Sequence, residues 1–268
     1  MLLQGKTVAI TRPRRQANEL ARIISKHGGK PYIVPTVEIK FGKAQKPVKE
    51  FIHKVADGKV DYVIFTSVNG IIGLLKIAEE LRAKNKIIDL LNKVNIIAIG
   101  PKTKTKLEKN GVSVHLVPST YSTPAIIQSL KNTNLHKKII VIPRTSKVEP
   151  YLPEELVKMG AKAEEVPVYD TVMPTDKSAI LKMIRDLETN MIDAITFTSS
   201  ATVQNLFHVA RENAKANELK KSLKNTDVIA IGSKTEKTLS RLGVDVNVVP
   251  ERYTAETMIK AYMDYLRK

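Results

Sequence analysis

The chain repeats itself once, at a spacing of 132 residues. Helical-repeat arrays have periods of roughly 20 to 50 residues and need at least three copies to bury a core. A spacing this long therefore indicates duplication of a domain-sized unit. The identical pairs that mark it are Arg12 and Arg144, Pro35 and Pro167, Gly100 and Gly232, Thr103 and Thr235, Pro118 and Pro250, and Tyr121 and Tyr253.

Hydrophobic runs alternate with helix-like stretches in each copy. In the first copy, runs rich in Val and Ile at residues 7–11, 61–67 and 95–100 end at polar or glycine-containing turns. The second copy has corresponding runs, among them 193–199 and 227–232, and each copy ends with a further predicted strand, VSVHLVP at 112–118 and VDVNVVP at 244–250. Nearly continuous apolar runs joined through helices are typical of parallel strands buried on both faces. The sequence predicts an α/β fold with two similar doubly wound parallel-sheet domains, and five strands and five helices per copy.

Small polar residues follow the strand ends and are well matched between the copies. Ligands of open α/β sheets bind beyond the carboxyl ends of the strands, where helix N-termini offer N–H groups to anions. A Ser or Thr at such a place is also an ordinary helix N-cap. Recurrence in both copies favours a shared anion site. These residues are Thr66, Ser67, Gly100, Lys102 and Thr103 in the first copy, and Thr198, Ser199, Gly232, Ser233, Lys234 and Thr235 in the second.

The charge balance favours an anionic partner. Lys and Arg total 44 against 27 Asp and Glu, a formal net charge of +17. Nucleic acid, a membrane surface and a small polycarboxylate or phosphate all fit such a charge. The lysines are dispersed, and a chain with no Trp and few other aromatic residues offers few platforms for stacking bases. We therefore expect a small polyanion, with no nucleic acid and no membrane as partner.

Several kinds of chemistry lack their motifs. The chain has no Cys, which excludes disulfides, thiolate nucleophiles and Cys-based metal sites. Its five His residues lack metal-ligand spacing, so no metal is predicted. The phosphate-loop and dinucleotide-binding glycine motifs are missing. No signal-peptide pattern and no apolar run of about 18 residues occurs, and we expect a soluble, cytoplasmic protein.

Longer segments carry a family resemblance. They are TRP at 11–13, FTSVNG at 65–70, AIGPKT at 98–103, VPVYDTV at 166–172, TFTSSATVQNL at 196–206, VIAIGSKTEKTLSRLGV at 228–244 and VVPERYTAETMI at 248–259. Each is weak alone, but in this order, over nearly the whole chain, they resemble the uroporphyrinogen-III synthase family.

The resemblance implies two α/β domains joined by a two-stranded linker, with a crossed-over chain path. On this chain the linker segments fall near 35–40 and 167–173. One domain then contains residues 1–37 plus 173–268, and the other contains 38–172. Residues expected at one sheet edge are Arg12, Thr198 and Gly232 in the first domain, and Arg144, Thr66 and Gly100 in the second.

The resemblance also implies a substrate and a reaction. The substrate is hydroxymethylbilane, a linear tetrapyrrole polycarboxylate, held in the interdomain cleft. The enzyme, a monomer that needs no cofactor, cyclises it with inversion of ring D to uroporphyrinogen III. A net charge of +17 agrees with a polyanionic substrate.

Tyr169 is the candidate general acid in this resemblance, as proton donor to the departing hydroxyl. It also breaks the repeat, because the position 132 residues earlier is Val37. The alternative role for Tyr169 is a hinge aromatic that packs between the lobes, and Arg12 and Arg144 fit a structural role equally well. The substrate-binding candidates are Arg12, Thr66, Ser67, Asn69, Gly100, Lys102, Thr103, Arg144, Thr198, Ser199, Ser200, Gly232, Ser233, Lys234 and Thr235.

Two other functions fit parts of the pattern. A non-enzymatic two-lobe binding module could close on an anionic metabolite, and fold alone does not separate it from an enzyme. Nucleic-acid binding would require a contiguous basic groove and strong salt dependence. Tyr169 in an otherwise symmetrical repeat favours the enzyme.

Overall fold

The structure, a computed structural model, describes residues 3–41, 45–146 and 150–267. These residues form a succession of strands and helices, and none of those helices is long and apolar enough to cross a membrane. The first copy forms β1 (Thr7–Ile10), α1 (Arg14–Lys26), β2 (Lys30–Ile33), β3 (Glu38–Phe41), α2 (Gln45–Ala56), β4 (Tyr62–Phe65), α3 (Val68–Glu80), α4 (Lys84–Leu91), β5 (Asn95–Ala98), α5 (Pro101–Glu108) and α6 (Thr123–Leu130). The second copy forms β6 (Ile139–Thr145), α7 (Tyr151–Lys158), β7 (Lys162–Val172), α8 (Ser178–Glu188), β8 (Ala194–Phe197), α9 (Ser200–Glu212), α10 (Ala216–Leu223), β9 (Asp227–Ala230), α11 (Ser233–Arg241) and α12 (Ala255–Tyr265).

The chain divides into two compact units. One, which we call the split unit, contains residues 1–38 and 172–268, and the other, the continuous unit, contains residues 39–171. The sheet of the split unit joins β1 and β2 from the first copy to β8 and β9 from the second. The sheet of the continuous unit joins β3, β4 and β5 to β6 and β7. Each sheet therefore takes strands from both copies.

The split unit has a parallel sheet in the order β2-β1-β8-β9. Successive side chains of β1 enter different cores, since Val8 and Ile10 pack with α1 and α12 whereas Ala9 packs with α8 and α9. This alternation follows from the two-residue period of a strand. Helices cover both faces, as expected for a doubly wound sheet.

The continuous unit has the strand order β3-β7-β6-β4-β5. The pairs among β7, β6, β4 and β5 are parallel. Val63 and Phe65 of β4 pack with α2, α3 and α4, while Ile64 between them packs with α6 and α7. The prediction of an α/β fold with doubly wound parallel sheets is confirmed.

The prediction of a last strand in each copy, at VSVHLVP and VDVNVVP, is wrong. Each is reduced to one parallel bridge, at Leu116 and at Val248. A side chain takes over a bond of the ladder in both places. The Nδ1 atom of His115 accepts from the backbone of β5 at 3.0 Å, and Oδ1 of Asn247 accepts from β9 at 2.8 Å. Because a side chain occupies that donor, the backbone pairing does not continue.

Candidate functional site

The predicted binding residues lie in two sets, one at the carboxyl edge of each sheet. Since the strands are parallel neighbours, residues that follow different strands share an edge. In the continuous unit these are Thr66, Ser67 and Asn69 after β4, Gly100, Lys102 and Thr103 after β5, Arg144 near the end of β6, and Tyr169 on β7. In the split unit they are Arg12 after β1, Thr198, Ser199 and Ser200 after β8, and Gly232, Ser233, Lys234 and Thr235 after β9.

Ser67 and Ser199 cap the helices that follow β4 and β8. The Oγ atom of Ser67 accepts from the Gly70 N–H at 3.1 Å, and Oγ of Ser199 accepts from the Thr202 N–H at 3.3 Å. Both serines have extended backbone conformations, as N-caps do. The local reason for a serine at each strand end is thus capping, whatever else the side chain contacts.

The N-termini of α5 and α11 are built differently, with Gly100 and Gly232 as N-caps that offer no side chain. The side chains of Thr103 and Thr235 point inward, and each residue is only 4% exposed. Lys102 and Lys234 are exposed in the first turn. The lysines therefore present their charges to solvent, whereas the two threonines lie mainly within the protein.

Two exposed tyrosines adjoin these glycines and were missed as candidate site residues. Tyr121 and Tyr253 are each 63% exposed. A Cβ atom on Gly100 would lie 3.1 Å from Tyr121 Cγ, and one on Gly232 would lie 2.8 Å from Tyr253 Cδ1. The glycines thus let an aromatic ring rest against each helix N-terminus. The signal was present in the sequence, since both tyrosines belong to the repeat.

Tyr169 lies half-buried on β7 with its hydroxyl next to Ser67. The two oxygens are 3.2 Å apart, and the ring lies 6.3 Å from that of Phe41 at an angle of 51°. Burial raises the pKa of Tyr169, while the hydrogen bond with Ser67 and the charge of Arg144 act in the opposite direction. The phenol is therefore protonated at neutral pH and is available as a proton donor.

Two glycines of α3 bring Ser67 to Tyr169. A Cβ on Gly70 would lie 2.5 Å from the backbone oxygen of Pro143 in β6, and one on Gly73 would collide with the backbone oxygen of Val168 in β7. Helix α3 therefore contacts the strand ends at a distance that only glycine permits. This close approach places the N-cap of α3 beside β7.

Arg144 lies inside the continuous unit, with 3% exposure, and forms an ion pair with Glu165 of β7. The pairing of β6 with β7 shifts register between Arg144 and Thr145, so that Thr145 is opposite Tyr169. The depth of Arg144 and its pairing with Glu165, a carboxylate of the same unit that is itself 42% exposed, favour the structural role among the two considered for Arg144.

Arg12, its counterpart in the split unit, has different surroundings. Its Nη2 donates to Oε1 of Gln16 at 3.3 Å. Burial lowers the pKa of Arg12, and the charges of Glu19 and Glu256 oppose that shift. Among the described residues its Nε has no hydrogen-bond partner. Arg12 thus keeps a buried donor with unused capacity, which fits a ligand role better than Arg144 does.

The split unit has no phenol at the position of Tyr169. Val37 stands there and is 3% exposed. Beside it, Thr36 Oγ1 donates to the Thr202 oxygen at 2.9 Å, and Asn205 Nδ2 donates to the Thr36 oxygen at 2.7 Å. Hydrogen bonds thus join helix α9 to the segment between β2 and β3, where the continuous unit uses glycine contacts. Ser200, next to the cap, accepts from Thr238 Oγ1 at 2.8 Å. The two edges are related by the repeat but differ in chemistry.

No group of three or more His, Cys, Asp or Glu side chains that could hold a metal ion occurs in the part of the chain that the structure describes. The half-buried pair of Tyr169 and Ser67 suits proton transfer. A second hydroxyl pair, Ser233 and Tyr253 with oxygens 3.5 Å apart, lies exposed at the edge of the split unit.

Comparisons with known proteins agree with the resemblance. A putative uroporphyrinogen-III synthase of Methanothermobacter thermautotrophicus is 32% identical over 255 residues, 95% of this chain and 96% of the relative. A uroporphyrinogen-III synthase of Chlorobaculum parvum is 27% identical over 98% of this chain and its own full length. A mutant uroporphyrinogen III synthase of Thermus thermophilus has a similar fold, with a TM-score of 0.65, 20% identity, and coverage of 98% of this chain and 99% of that one.

The family comparison spans most of the chain. The model of the family described as uroporphyrinogen-III synthase HemD matches residues 18–260. That range includes the edge of the continuous unit with Tyr169 and the N-termini of α9 and α11 in the split unit. The chain belongs to the uroporphyrinogen-III synthase family.

Proposed function

We propose that this protein is a uroporphyrinogen-III synthase that cyclises hydroxymethylbilane, with inversion of ring D, to uroporphyrinogen III. Membership of the family supports the reaction class. The observation that carries the proposal to this chain is the protonated, half-buried phenol of Tyr169 at the carboxyl edge of a parallel sheet. The net charge of +17 supports a polycarboxylate substrate.

In the proposed mechanism Tyr169 acts as general acid. Its O–H bond breaks as a new O–H bond forms on the hydroxyl of the substrate, which leaves as water with the electrons of the C–O bond. The azafulvene cation that remains is attacked by the substituted carbon of ring D, and the spiro intermediate fragments and recloses inverted. A proton released on closure returns to the Tyr169 phenolate, so atoms and charge balance.

The protein must also favour closure with inversion of ring D over the uncatalysed closure without inversion. Closure without inversion occurs spontaneously, so much of the catalysis consists of holding the bilane in the orientation that permits ring D to invert. We propose that the exposed Lys102 and Lys234, Arg12 and the helix N-termini bind the carboxylates of the substrate. The proposal requires no cofactor, and it includes a monomer that acts in the cytoplasm.

The test is the isomer of the product. Purified protein is supplied with hydroxymethylbilane, and the cyclised product is oxidised and separated into isomers I and III. We expect isomer III at a rate above that of spontaneous closure. Formation of isomer I alone, at the rate measured without protein, contradicts the proposal and leaves the binding-module alternative, which binding of the bilane without turnover would support.

A further inference from the structure

The hydroxyl of Ser67 has two neighbours of different kinds. Its oxygen accepts from the Gly70 N–H at 3.1 Å and lies 3.2 Å from the Tyr169 oxygen. A serine that accepts one hydrogen bond still has its own hydrogen to donate. A phenol that transfers its proton to a substrate must direct that proton away from Ser67. During the transfer Ser67 is therefore the donor and the Tyr169 oxygen is the acceptor.

We propose that Ser67 is a positioning residue, which orients the Tyr169 phenol and donates a hydrogen bond to the phenolate formed when Tyr169 gives up its proton. The inference rests on the proposed function of Tyr169. Hydrogen bonds to an ionised oxygen are stronger than those to a neutral one. The bond from Ser67 therefore strengthens as the proton leaves, and stabilisation that grows towards the transition state accelerates the reaction.

This role replaces the one predicted for Ser67 as a direct ligand of a substrate carboxylate. Its acceptor capacity serves the N-terminus of α3, and its hydrogen serves Tyr169. Ser67 thus connects helix α3 to the phenol. A substrate carboxylate would have to compete with Tyr169 for the single O–H of Ser67.

The surroundings of the phenol act on its ionisation in opposite directions. Burial raises the pKa of Tyr169, while the hydrogen bond with Ser67 lowers it and the positive charge of Arg144 lowers it further. Phe41 of β3 packs against the ring, and Lys76 of α3 lies 5.8 Å from the centre of the Phe41 ring. The elements around the ring carry charges of both signs: Arg144 on β6, Lys76, Glu79 and Glu80 on α3, Glu38 and Lys40 on β3, and Lys162, Glu164, Glu165 and Asp170 on β7.

The other copy supplies a built-in comparison. Ser199 caps its helix at 3.3 Å, much as Ser67 does, but the position equivalent to Tyr169 there is Val37. Capping accounts for a serine in both copies. Of these two serines, only Ser67 has a tyrosine hydroxyl as a partner. Comparing substitutions of Ser67 and Ser199 can therefore separate the effect of the phenol contact from that of capping.

Three substitutions separate the two tasks of Ser67. Ser67→Ala removes cap and donor, Ser67→Asp keeps a good cap but cannot donate to the phenol, and Ser67→Thr keeps both. We expect kcat for isomer III to fall about 10- to 100-fold in Ser67→Ala and Ser67→Asp, with little change in KM, and to be retained in Ser67→Thr. Thermal unfolding verifies that each variant is folded.

The decisive readout is the titration of the phenol itself. 3-Fluorotyrosine, a more acidic phenol, is placed at position 169, and its ¹⁹F shift is followed against pH. We expect the titration to move to higher pH in Ser67→Ala and further in Ser67→Asp, and to stay in place in Ser199→Ala, which loses an equivalent cap. An unchanged titration in folded Ser67→Ala, or parental kcat in Ser67→Asp, overturns the inference. If the parent protein makes no isomer III, the proposed function fails, while the titration still decides whether Ser67 controls Tyr169.

Discussion

At the scale of single residues, the two copies differ at the position of the proposed general acid. Tyr169 stands opposite Val37 in the repeat, and this mismatch is visible in the sequence. The contact between Tyr169 and Ser67 is not, because it depends on the register shift after Arg144 and on the approach of α3 to the sheet. The sequence could therefore predict the residue but not its partner.

Replacing Tyr169 with Phe tests the general acid directly. We expect Tyr169→Phe to lower the rate of isomer III formation about 10²- to 10⁴-fold under single-turnover conditions, since a positioned acid contributes about that much. The matched control is Tyr151→Phe, which removes a hydroxyl from an exposed ring on α7 of the same unit and should retain the parental rate. Near-parental turnover in Tyr169→Phe would leave the packing role as the explanation of this tyrosine.

Arg12 and Arg144 are equivalent in the repeat but have different partners in the structure. Arg12 follows β1, whereas Arg144 lies within β6. Arg144 has Glu165 on the next strand, whereas the residue equivalent to Glu165 in the first copy is Ile33. An acid on a neighbouring strand decides which arginine is internally paired, and strand adjacency is a tertiary property.

At the scale of elements, the difference between the units lies in how a helix meets the strand ends. Helix α3 uses Gly70 and Gly73, and the equivalent residues of α9 are Thr202 and Asn205. Glycine permits contact with the strand backbone, whereas Asn205 bonds to the backbone oxygen of Thr36, between β2 and β3, at 2.7 Å. The elements themselves followed from hydrophobic periodicity, but these contacts did not.

We predict that Gly73→Ala destabilises the continuous unit by about 1–3 kcal/mol, the usual cost of overpacking, because the added methyl collides with the backbone oxygen of Val168. That oxygen belongs to a strand and cannot turn away. The helix preference of Ala, about 1 kcal/mol, offsets part of the cost. The free energy of unfolding in urea measures the change.

The control is Gly100→Ala, whose methyl would meet the exposed ring of Tyr121 at 3.1 Å. The methyl meets side-chain atoms of Tyr121 that can shift, and alanine caps a helix less well than glycine, so we expect a loss of at most about 1 kcal/mol. Equal losses in Gly73→Ala and Gly100→Ala would show that close backbone contact is not what glycine provides in α3.

The contact between α8 and β2 in the split unit should make the stability of the protein depend on pH. Asp186 of α8 is 8% exposed and accepts hydrogen bonds at 2.5 Å from Lys182 and from the Tyr32 hydroxyl of β2. The bond from Lys182, then that from Tyr32, lowers the pKa of Asp186. Its stabilisation is therefore complete above the unfolded pKa of about 3.9 and is lost as the pH falls through the lower folded value.

We expect Asp186→Asn to lower the free energy of unfolding by about 1–3 kcal/mol at pH 7 and the deficit to shrink as the pH falls below about 4. Urea unfolding at pH 7, 5 and 3 provides the measurement. Asp245→Asn, on an exposed residue, controls for the loss of one negative charge. A deficit that stays constant with pH would contradict the assignment of the stabilisation to the ionised carboxylate.

At the scale of the whole molecule, duplication and alternating apolar runs were enough to predict doubly wound parallel sheets, because burial on both faces leaves a strong periodic signal. The last strand of each copy was predicted wrongly because His115 and Asn247 replace part of the backbone pairing. A side chain that imitates a ladder bond leaves no such signal. How the copies share two sheets came from the family resemblance and not from periodicity.

Fragments test the division into units. Cutting the chain after residue 132 separates the copies and divides both sheets, so we expect fragments 1–132 and 133–268 to lack cooperative unfolding alone and to regain it when refolded together. Fragment 39–171 has similar length but contains the whole sheet and core of the continuous unit. We expect it to fold alone, as judged by near-ultraviolet circular dichroism and urea titration. Cooperative folding of 1–132 alone would contradict this division.

The sharing of each sheet between the two copies bears on how the duplicated protein evolved. An ancestor with a single copy that followed the same crossed-over chain path would complete each sheet by exchanging segments with a second chain, as a swapped homodimer. Gene fusion would replace that encounter by an intramolecular one with a high effective concentration. Fusion would also let the two copies change independently, because in a homodimer every substitution appears in both chains. Only after fusion could one edge acquire the phenol of Tyr169 while the other kept or gained the aliphatic side chain of Val37.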